Sequence, residues 1–234
     1  MMMFGLFRFD WTILLVIPGF IVSLWAQMKV KSTFNKYSKM RTRRGLTGFG
    51  AARRILDSNG LSHVRIELTG GHLSDHYDPR ANVIRLSNDV YHSSSPAAIG
   101  VAAHEAGHAI QYAKQYAPIK LRAGLVSITQ FSSALAIPLF FIGLIMASDG
   151  LMLAGILLYA AIAFFQLVTL PVEFNASKRA LKVLSSSGIL DKNELDASRK
   201  VLTAAALTYV AALLTSLLTL LRLLLLANDR GNRR

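Results

Sequence analysis

Four long stretches without a single charged residue constrain this chain more than anything else in it. They run over Trp11–Gln27, Gly124–Ala147, Leu151–Val172 and Val201–Leu221. An α-helix needs about 17–25 apolar residues to cross the hydrocarbon core of a bilayer. In that core only a helix or a closed barrel satisfies its own backbone polar groups. Four runs of this length predict a mainly α, multi-pass membrane protein with spans at roughly 11–27, 124–147, 151–172 and 201–221. Composition agrees, with 53% hydrophobic and 17% charged residues among 234, against about 45–50% and about 25% in soluble domains. The first run has Trp11 and Trp25 near its ends, as in an interfacial belt. Its head, "MMMFGLFRFD", carries only Arg8 balanced by Asp10, and no A-x-A-like site precedes Gln27. The expectation is a retained anchor rather than a cleaved signal.

Orientation is read from the loops. Lys29, Lys31, Lys36, Lys39, Arg41, Arg43 and Arg44 follow the first run directly, and Lys178, Arg179, Lys182, Lys192, Arg199 and Lys200 lie between the third and fourth. The "SDG" between the second and third runs has no cation. Positive charge collects on the cytoplasmic side, so the expected cytoplasmic portion is 28–123 together with 173–200. The tail "DRGNRR" opposes this assignment: either its bias is outvoted, which is the reading preferred, or the last helix lies in the interface. The net charge of +13 then fits a chain lying against an anionic inner leaflet. No nucleic-acid-binding motif accompanies it, so no nucleic-acid partner is expected.

Within the cytoplasmic portion, Val30, Phe34, Tyr37 and Met40 recur at helical spacing and extend the first span as an amphipathic helix. "GFGAARRILDSNG" reads as a helix closed by Asn59-Gly60. "HVRIEL" and "NVIRLS" alternate like strands, and the polar "TGGHLSDHYDPRA" between them reads as a loop. Ser95-Pro96 opens a further helix, with an N-cap and a proline at its first position, expected to reach about Lys114. The chain is read as one integral membrane domain over 1–234, with a small α+β cytoplasmic part holding a short hairpin or sheet.

That last helix carries "HEAGH". His104 and His108 are four apart and share a helix face, and Glu105 lies beside them. In the H-E-x-x-H arrangement two histidines hold zinc and the glutamate acts as general base. With no cysteine in the chain, a transition metal here would be held by imidazole and carboxylate alone. The small residues Ala102, Ala103, Ala106, Gly107 and Ala109 also suit a close-packed helix seam.

A catalytic zinc takes three protein ligands and keeps one position open. No histidine follows His108, and the downstream acids up to Arg199 are Asp149, Glu173, Asp191, Glu194 and Asp196. Asp149 belongs to the turn on the far side of the bilayer. Glu173 directly follows the third run, which the membrane hairpin returns to the face where HEAGH lies. Glu173 is therefore the candidate third ligand. A plain ion pair with Lys178 or Arg179 is the other reading of it, and His72, His76 and His92 are the alternative ligands.

"LSDHYDPR", "GVAAHEAGHAIQ", "QLVTLPVEFNASKRAL" and "KVLTAAALTYVAALL" resemble the YugP-type membrane zinc metalloproteases of bacteria, with the motifs in order over nearly the whole chain. The layout is more distantly similar to the HtpX-type and CAAX-prenyl-protease-type gluzincins. The resemblance implies one catalytic zinc, with His104, His108 and Glu173 as metal ligands and Glu105 as base. It also implies that Ser177 stands where the distant relatives carry an aspartate that orients a ligand imidazole.

The function expected is a zinc metallopeptidase of the bacterial cell membrane. It would hydrolyse membrane-associated polypeptides, with its active site on the cytoplasmic side. The competing class is a non-catalytic membrane scaffold with a structural zinc, closed by His76 or His92. "NVIRLS" would serve either as an edge strand that pairs with substrate or as simple packing over the HEAGH helix. His76, Tyr77 and Arg80 are the candidate donors to an oxyanion.

Overall fold

The computed structural model describes residues 11–231. A 3-10 turn at Trp11–Leu15 leads into α1 (Val16–Tyr37), followed by α2 (Gly48–Ser58), β1 (Arg65–Thr69), β2 (His76–Asp78), β3 (Val83–Ser87) and α3 (Asn88–Tyr91). Then come α4 (Pro96–Ala113), α5 (Ala117–Met146), α6 (Asp149–Ser186) and α7 (Lys192–Gly231). The protein is a mainly α membrane protein with a small α+β portion, and four helices are long and apolar enough to cross a bilayer. They overrun the charge-free runs at their polar ends: α1 continues to Tyr37, α6 to Ser186, and α7 begins at Lys192. Hydropathy marks only the segment that lipid surrounds, whereas backbone hydrogen bonding carries a helix on wherever neighbours cover it. Arg8, Asp10, Arg233 and Arg234 lie outside the described residues.

The chain divides into two compact units. Among the described residues, the first gathers 11–25, Gly124–Leu167 and 210–231. Its packing follows the rule for helices in lipid, where small residues let backbones approach. A Cβ on Gly155 would sit 2.7 Å from the Phe140 backbone nitrogen, and one on Gly143 2.6 Å from that of Met152. The α5–α6 hairpin therefore closes backbone to backbone, around a core that includes Phe140, Met152, Ile156 and Leu223. Gly19 fits against Thr215, whose hydroxyl lies 3.1 Å from that of Ser23. Arg222 ends the fourth charge-free run but not the helix: its Nε donates to Thr12 Oγ1 at 3.3 Å, and α7 continues past it. Arg230 donates to the Leu144 carbonyl at the end of α5. Large apolar side chains such as Phe20, Phe131, Ile145 and Leu157 stay exposed, as lipid-facing positions do.

The second unit holds Ala26–Ala123 and Val168–Tyr209. Its sheet has the order β1-β3-β2, with β1 parallel and β2 antiparallel to β3. Two sequence expectations are corrected here. The stretch "TGGHLSDHYDPRA" is not all loop, because His76–Asp78 form β2. Asp78 holds that hairpin, accepting from the turn N–H of Arg80 at 2.9 Å and pairing with Arg85 at 3.0 Å. "NVIRLS" is not an edge strand either. It is the central strand, flanked on both sides, with Ile84 and Leu86 fully buried.

α4 is the helix around which this unit is built. Ser95 Oγ accepts from Ala98 N at 3.2 Å, and Pro96 occupies the first turn, a pairing of cap and proline that fixes the start. Ile55, Leu56, Leu86, Val90, Ile99 and Ala103 share its core cluster. On the other side α4 meets α6 and α7 through glycine. A Cβ on Gly107 would lie 2.7 Å from the Ala176 carbonyl oxygen, and one on Gly100 3.2 Å from Ser198 Cβ. The start of α7 is fixed by a reciprocal box, Glu194 N to Asp191 Oδ1 and Asp191 N to Glu194 Oε2, both at 2.9 Å, which satisfies two orphan donors.

These contacts rank three substitutions. Gly107→Ala forces two backbones apart and should cost about 1–3 kcal/mol, Gly100→Ala less, and Gly124→Ala, with open space around it, nothing or a slight gain. Thermal unfolding of the purified variants in one detergent checks the order. Equal effects at Gly107 and Gly124 would remove the close α4–α6 approach from this account.

Candidate metal centre

The approach at Gly107 brings the middle of α6 against the histidine face of α4. His104 Nε2 and His108 Nε2 lie 3.1 Å apart, with the two rings nearly perpendicular at 86°. Glu173 Oε2 lies 3.2 Å from the first and 3.4 Å from the second. Glu173 is 2% exposed and His108 8%. The helix carries Glu173 without a break through Pro171, so this residue sits within a turn of α6 rather than in a loop. Its other oxygen, Oε1, faces Arg122 at 3.6 Å. The ion pair with Lys178 or Arg179 is not formed, since Arg179 Nε donates to Asn175 Oδ1 at 2.6 Å and its guanidinium lies over the Tyr116 ring.

The outer nitrogens of the two imidazoles are also engaged. Gln111 Nε2 donates to the Val172 carbonyl at 2.8 Å and to Asn175 Oδ1 at 3.1 Å. Its Oε1, 3.0 Å from His108 Nδ1, is thereby left as an acceptor. His108 accordingly carries its proton on Nδ1 and turns the lone pair of Nε2 inward. Ser177 Oγ stands 3.1 Å from His104 Nδ1 and serves the first histidine in the same way, at the position singled out in the sequence.

Three electron-pair donors thus converge in a buried space. Lone pairs this close repel, and one proton relieves only one pair, whereas a cation at their centre relieves all three. Burial works against a charged His108, yet the hydrogen bond to Glu173, with the charge of Glu105 behind it, raises its pKa above the ordinary histidine value. The spacing is also informative. A tetrahedral ion with bonds of ~2.0–2.1 Å has ligand–ligand edges of ~3.3–3.4 Å, and the donor separations here are 3.1, 3.2 and 3.4 Å. Nitrogen and carboxylate oxygen in this ratio suit zinc. The residues fit the metal.

Glu105, 7% exposed, lines a cavity of about 260 Å³ with His104, Glu173, Asp75 and Tyr209. Asp75 accepts from Ser87 N at 2.7 Å and from Ser87 Oγ at 3.1 Å. Burial raises its carboxyl above the usual range against those two bonds, and the charge of Glu105 adds to the rise. The other histidines stand apart: His72 pairs with Asp89 at 2.6 Å and His76 Nδ1 lies 2.8 Å from the Ser74 carbonyl, while His92 packs on Tyr91. Tyr77 bonds to Asn82 and leans on Tyr112. Neither it nor His76 nor Arg80 lines the cavity. Among the described residues, His104, His108 and Glu173 form the one cluster able to hold a metal ion.

Residues 12–228 match the family described as "Putative neutral zinc metallopeptidase". The chain belongs to that family. It is similar to "Putative membrane protease YugP" of Bacillus subtilis (strain 168), 50% identical over 214 residues, which cover 92% of this chain and 95% of that protein. No solved structure matches. Family membership brings zinc to a donor set that fits it on its own geometry.

Sequence reasoning missed Gln111, Asn175, Arg122 and Tyr209. Gln111 had a signal, one turn after His108 on the same face. Tyr209 had none, because only the fold brings α7 to α4. Gln111→Leu removes the acceptor that fixes His108 and should weaken zinc binding roughly 10–100-fold. Ser177→Ala should weaken it less, and Ser177→Asp should strengthen it. Competition with a chromophoric chelator measures all three. Unchanged affinity in Gln111→Leu would remove its orienting role.

Proposed function

We propose that this chain is an integral membrane zinc endopeptidase of the bacterial cell membrane, cutting polypeptides at the cytoplasmic face with Glu105 as general base. The observation that carries the proposal is the convergence of His104, His108 and Glu173, two of which, His104 and Glu173, line the same cavity as Glu105. Bound there, zinc would supply a Lewis acid and a water acidic enough to attack a peptide carbonyl. His104, His108 and Glu173 hold the ion, and Gln111 and Ser177 keep the imidazoles turned inward. Glu105 takes the proton of the attacking water and delivers it to the leaving amine nitrogen. Tyr209, which lines the cavity together with Glu105 and Glu173, presents a hydroxyl donor to the oxygen on which charge develops. That replaces the loop donors considered from sequence. Val101, Val201, Leu202 and Ala205 give the cavity apolar walls suited to apolar side chains of a membrane-associated polypeptide.

The scaffold reading needs a closed site with a fourth protein donor. His76 and His92 have other neighbours, and a structural site gives no use to a carboxylate facing the cavity. The cytoplasmic assignment rests on the Lys/Arg residues at and beyond the polar end of α1 and at the polar ends of α6 and α7.

Purified Glu105→Gln is expected to keep its zinc and lose casein hydrolysis by 10²–10⁴-fold, roughly the range for a positioned base. Tyr209→Phe should keep zinc and lose kcat by about 10²-fold with little change in KM, and Glu173→Gln should lose the metal. Hydrolysis by Glu105→Gln at the wild-type rate would end the proposed mechanism. Orientation has a separate check, since the chain has no cysteine. Ser148→Cys should react with an impermeant maleimide in intact spheroplasts, and Lys114→Cys only after permeabilisation. The reverse pattern inverts the topology.

A further inference from the structure

A second cavity, of about 530 Å³, lies between the polar end of α1 and the first turns of α7. Nothing in the proposed chemistry uses it. Lys29, Lys36, Arg199 and Lys200 line it, with the hydroxyls of Ser32 and Thr203, and its lining contains no carboxylate. Lys200 is neutralised from outside, its Nζ lying 2.6 Å from Asp196 Oδ2. Lys36 lies over the Tyr37 ring at 5.4 Å, a contact that leaves its charge in place. Among the described residues, neither it nor Lys29 nor Arg199 forms an ion pair. Three cations without a salt-bridge partner, of which Arg199 also feels the nearby Asp196 carboxylate, repel each other around one concavity and gain from a shared anion.

The position of these cations in the chain indicates which anion. Lys29 comes two residues after the charge-free run that ends at Gln27, and Arg199 and Lys200 immediately precede the run that begins at Val201. The ring of charge therefore stands where two spanning helices leave the hydrocarbon, at the depth of lipid phosphates. The floor, with Ala204 and Leu207, is apolar. Basic pockets between spanning helices on the cytoplasmic side suit the headgroups of anionic lipids.

We infer that this cavity is a binding site for a phosphate-bearing anion, and that its occupant is the phosphodiester headgroup of an anionic phospholipid of the inner leaflet. The inference stands on the membrane fold and is independent of the protease reading. Lys29, Lys36 and Arg199 share the phosphate charge, Thr203 donates to its oxygens, and Leu207 meets the glycerol and upper acyl segment.

The test uses the full chain, purified in a neutral detergent and examined by native mass spectrometry with phosphatidylglycerol or phosphatidylcholine added. Lys29→Gln/Lys36→Gln/Arg199→Gln is compared with Lys31→Gln/Lys39→Gln/Arg41→Gln, which removes the same charge outside the cavity. Helical circular dichroism certifies both as folded. Wild type and control should retain phosphatidylglycerol and not phosphatidylcholine. The cavity variant should lose on the order of a hundredfold in affinity, about fivefold for each cation. Replacing the three positions so that the charge is kept, with Lys29→Arg, Lys36→Arg and Arg199→Lys, should preserve retention. Equal losses in the cavity and control variants overturn the site, since attraction is then diffuse. Inorganic phosphate alone should fail to displace the lipid at equal concentration. Displacement by phosphate overturns the lipid as occupant.

Discussion

The convergence of three electron-pair donors inside a buried helix contact is the constraint on which the second unit depends. Two imidazole nitrogens and a carboxylate oxygen stand 3.1–3.4 Å apart, an arrangement that burial makes costly unless a cation completes it. Several features of the fold keep the donors from relaxing apart. Gly107 lets α4 touch the backbone of α6 at Ala176. α6 runs as one helix from the hairpin turn to Ser186, so Glu173 cannot swing away on a loop. Gln111 ties α4 to α6 through the Val172 carbonyl and Asn175, and the same amide fixes the inward-facing nitrogen of His108.

The scarcity of acid in this chain gives each carboxylate a distinct task. Of the four glutamates, Glu194 closes the box that starts α7 and also accepts from Arg43 N at 2.7 Å. Glu67 pairs with Arg65 and Arg85 on the sheet. Glu173 and Glu105 share one cavity with His104. Their difference is one of partners. Glu173 is held by His104, His108 and Arg122 and is fixed as a donor, whereas Glu105 faces the cavity beside it, where a mobile proton would be exchanged.

What was legible in the sequence divides along the same physical lines. The four-residue spacing of His104 and His108 is a local property of a helix, and Ser95-Pro96 announced that helix. Glu173 was legible through topology alone, because a membrane hairpin must return to the face it left. Partners set by side-chain packing between distant segments were not. Tyr209 reaches the cavity from α7, and Arg122 reaches Glu173 from the start of α5, with no spacing rule to announce either. "NVIRLS" left an edge strand and packing over the HEAGH helix both open, because its parallel neighbour, Arg65–Thr69, lies on the far side of a polar stretch that itself supplies the third strand. The polar end of α1 was legible from the spacing of Val30, Phe34 and Tyr37, whereas those of α6 and α7 escaped hydropathy because lipid exposure, which hydropathy measures, is not what holds them helical.

The central claim is that His104, His108 and Glu173 hold one zinc, and zinc K-edge X-ray absorption on the purified chain tests it most directly. The account predicts about one zinc per chain with a shell of nitrogen and oxygen at ~2.0–2.1 Å. Two of those donors should show imidazole scattering, in the wild type and unchanged in Glu105→Gln. A shell with three or more imidazoles, or zinc retained with the same shell in Glu173→Gln, would contradict it.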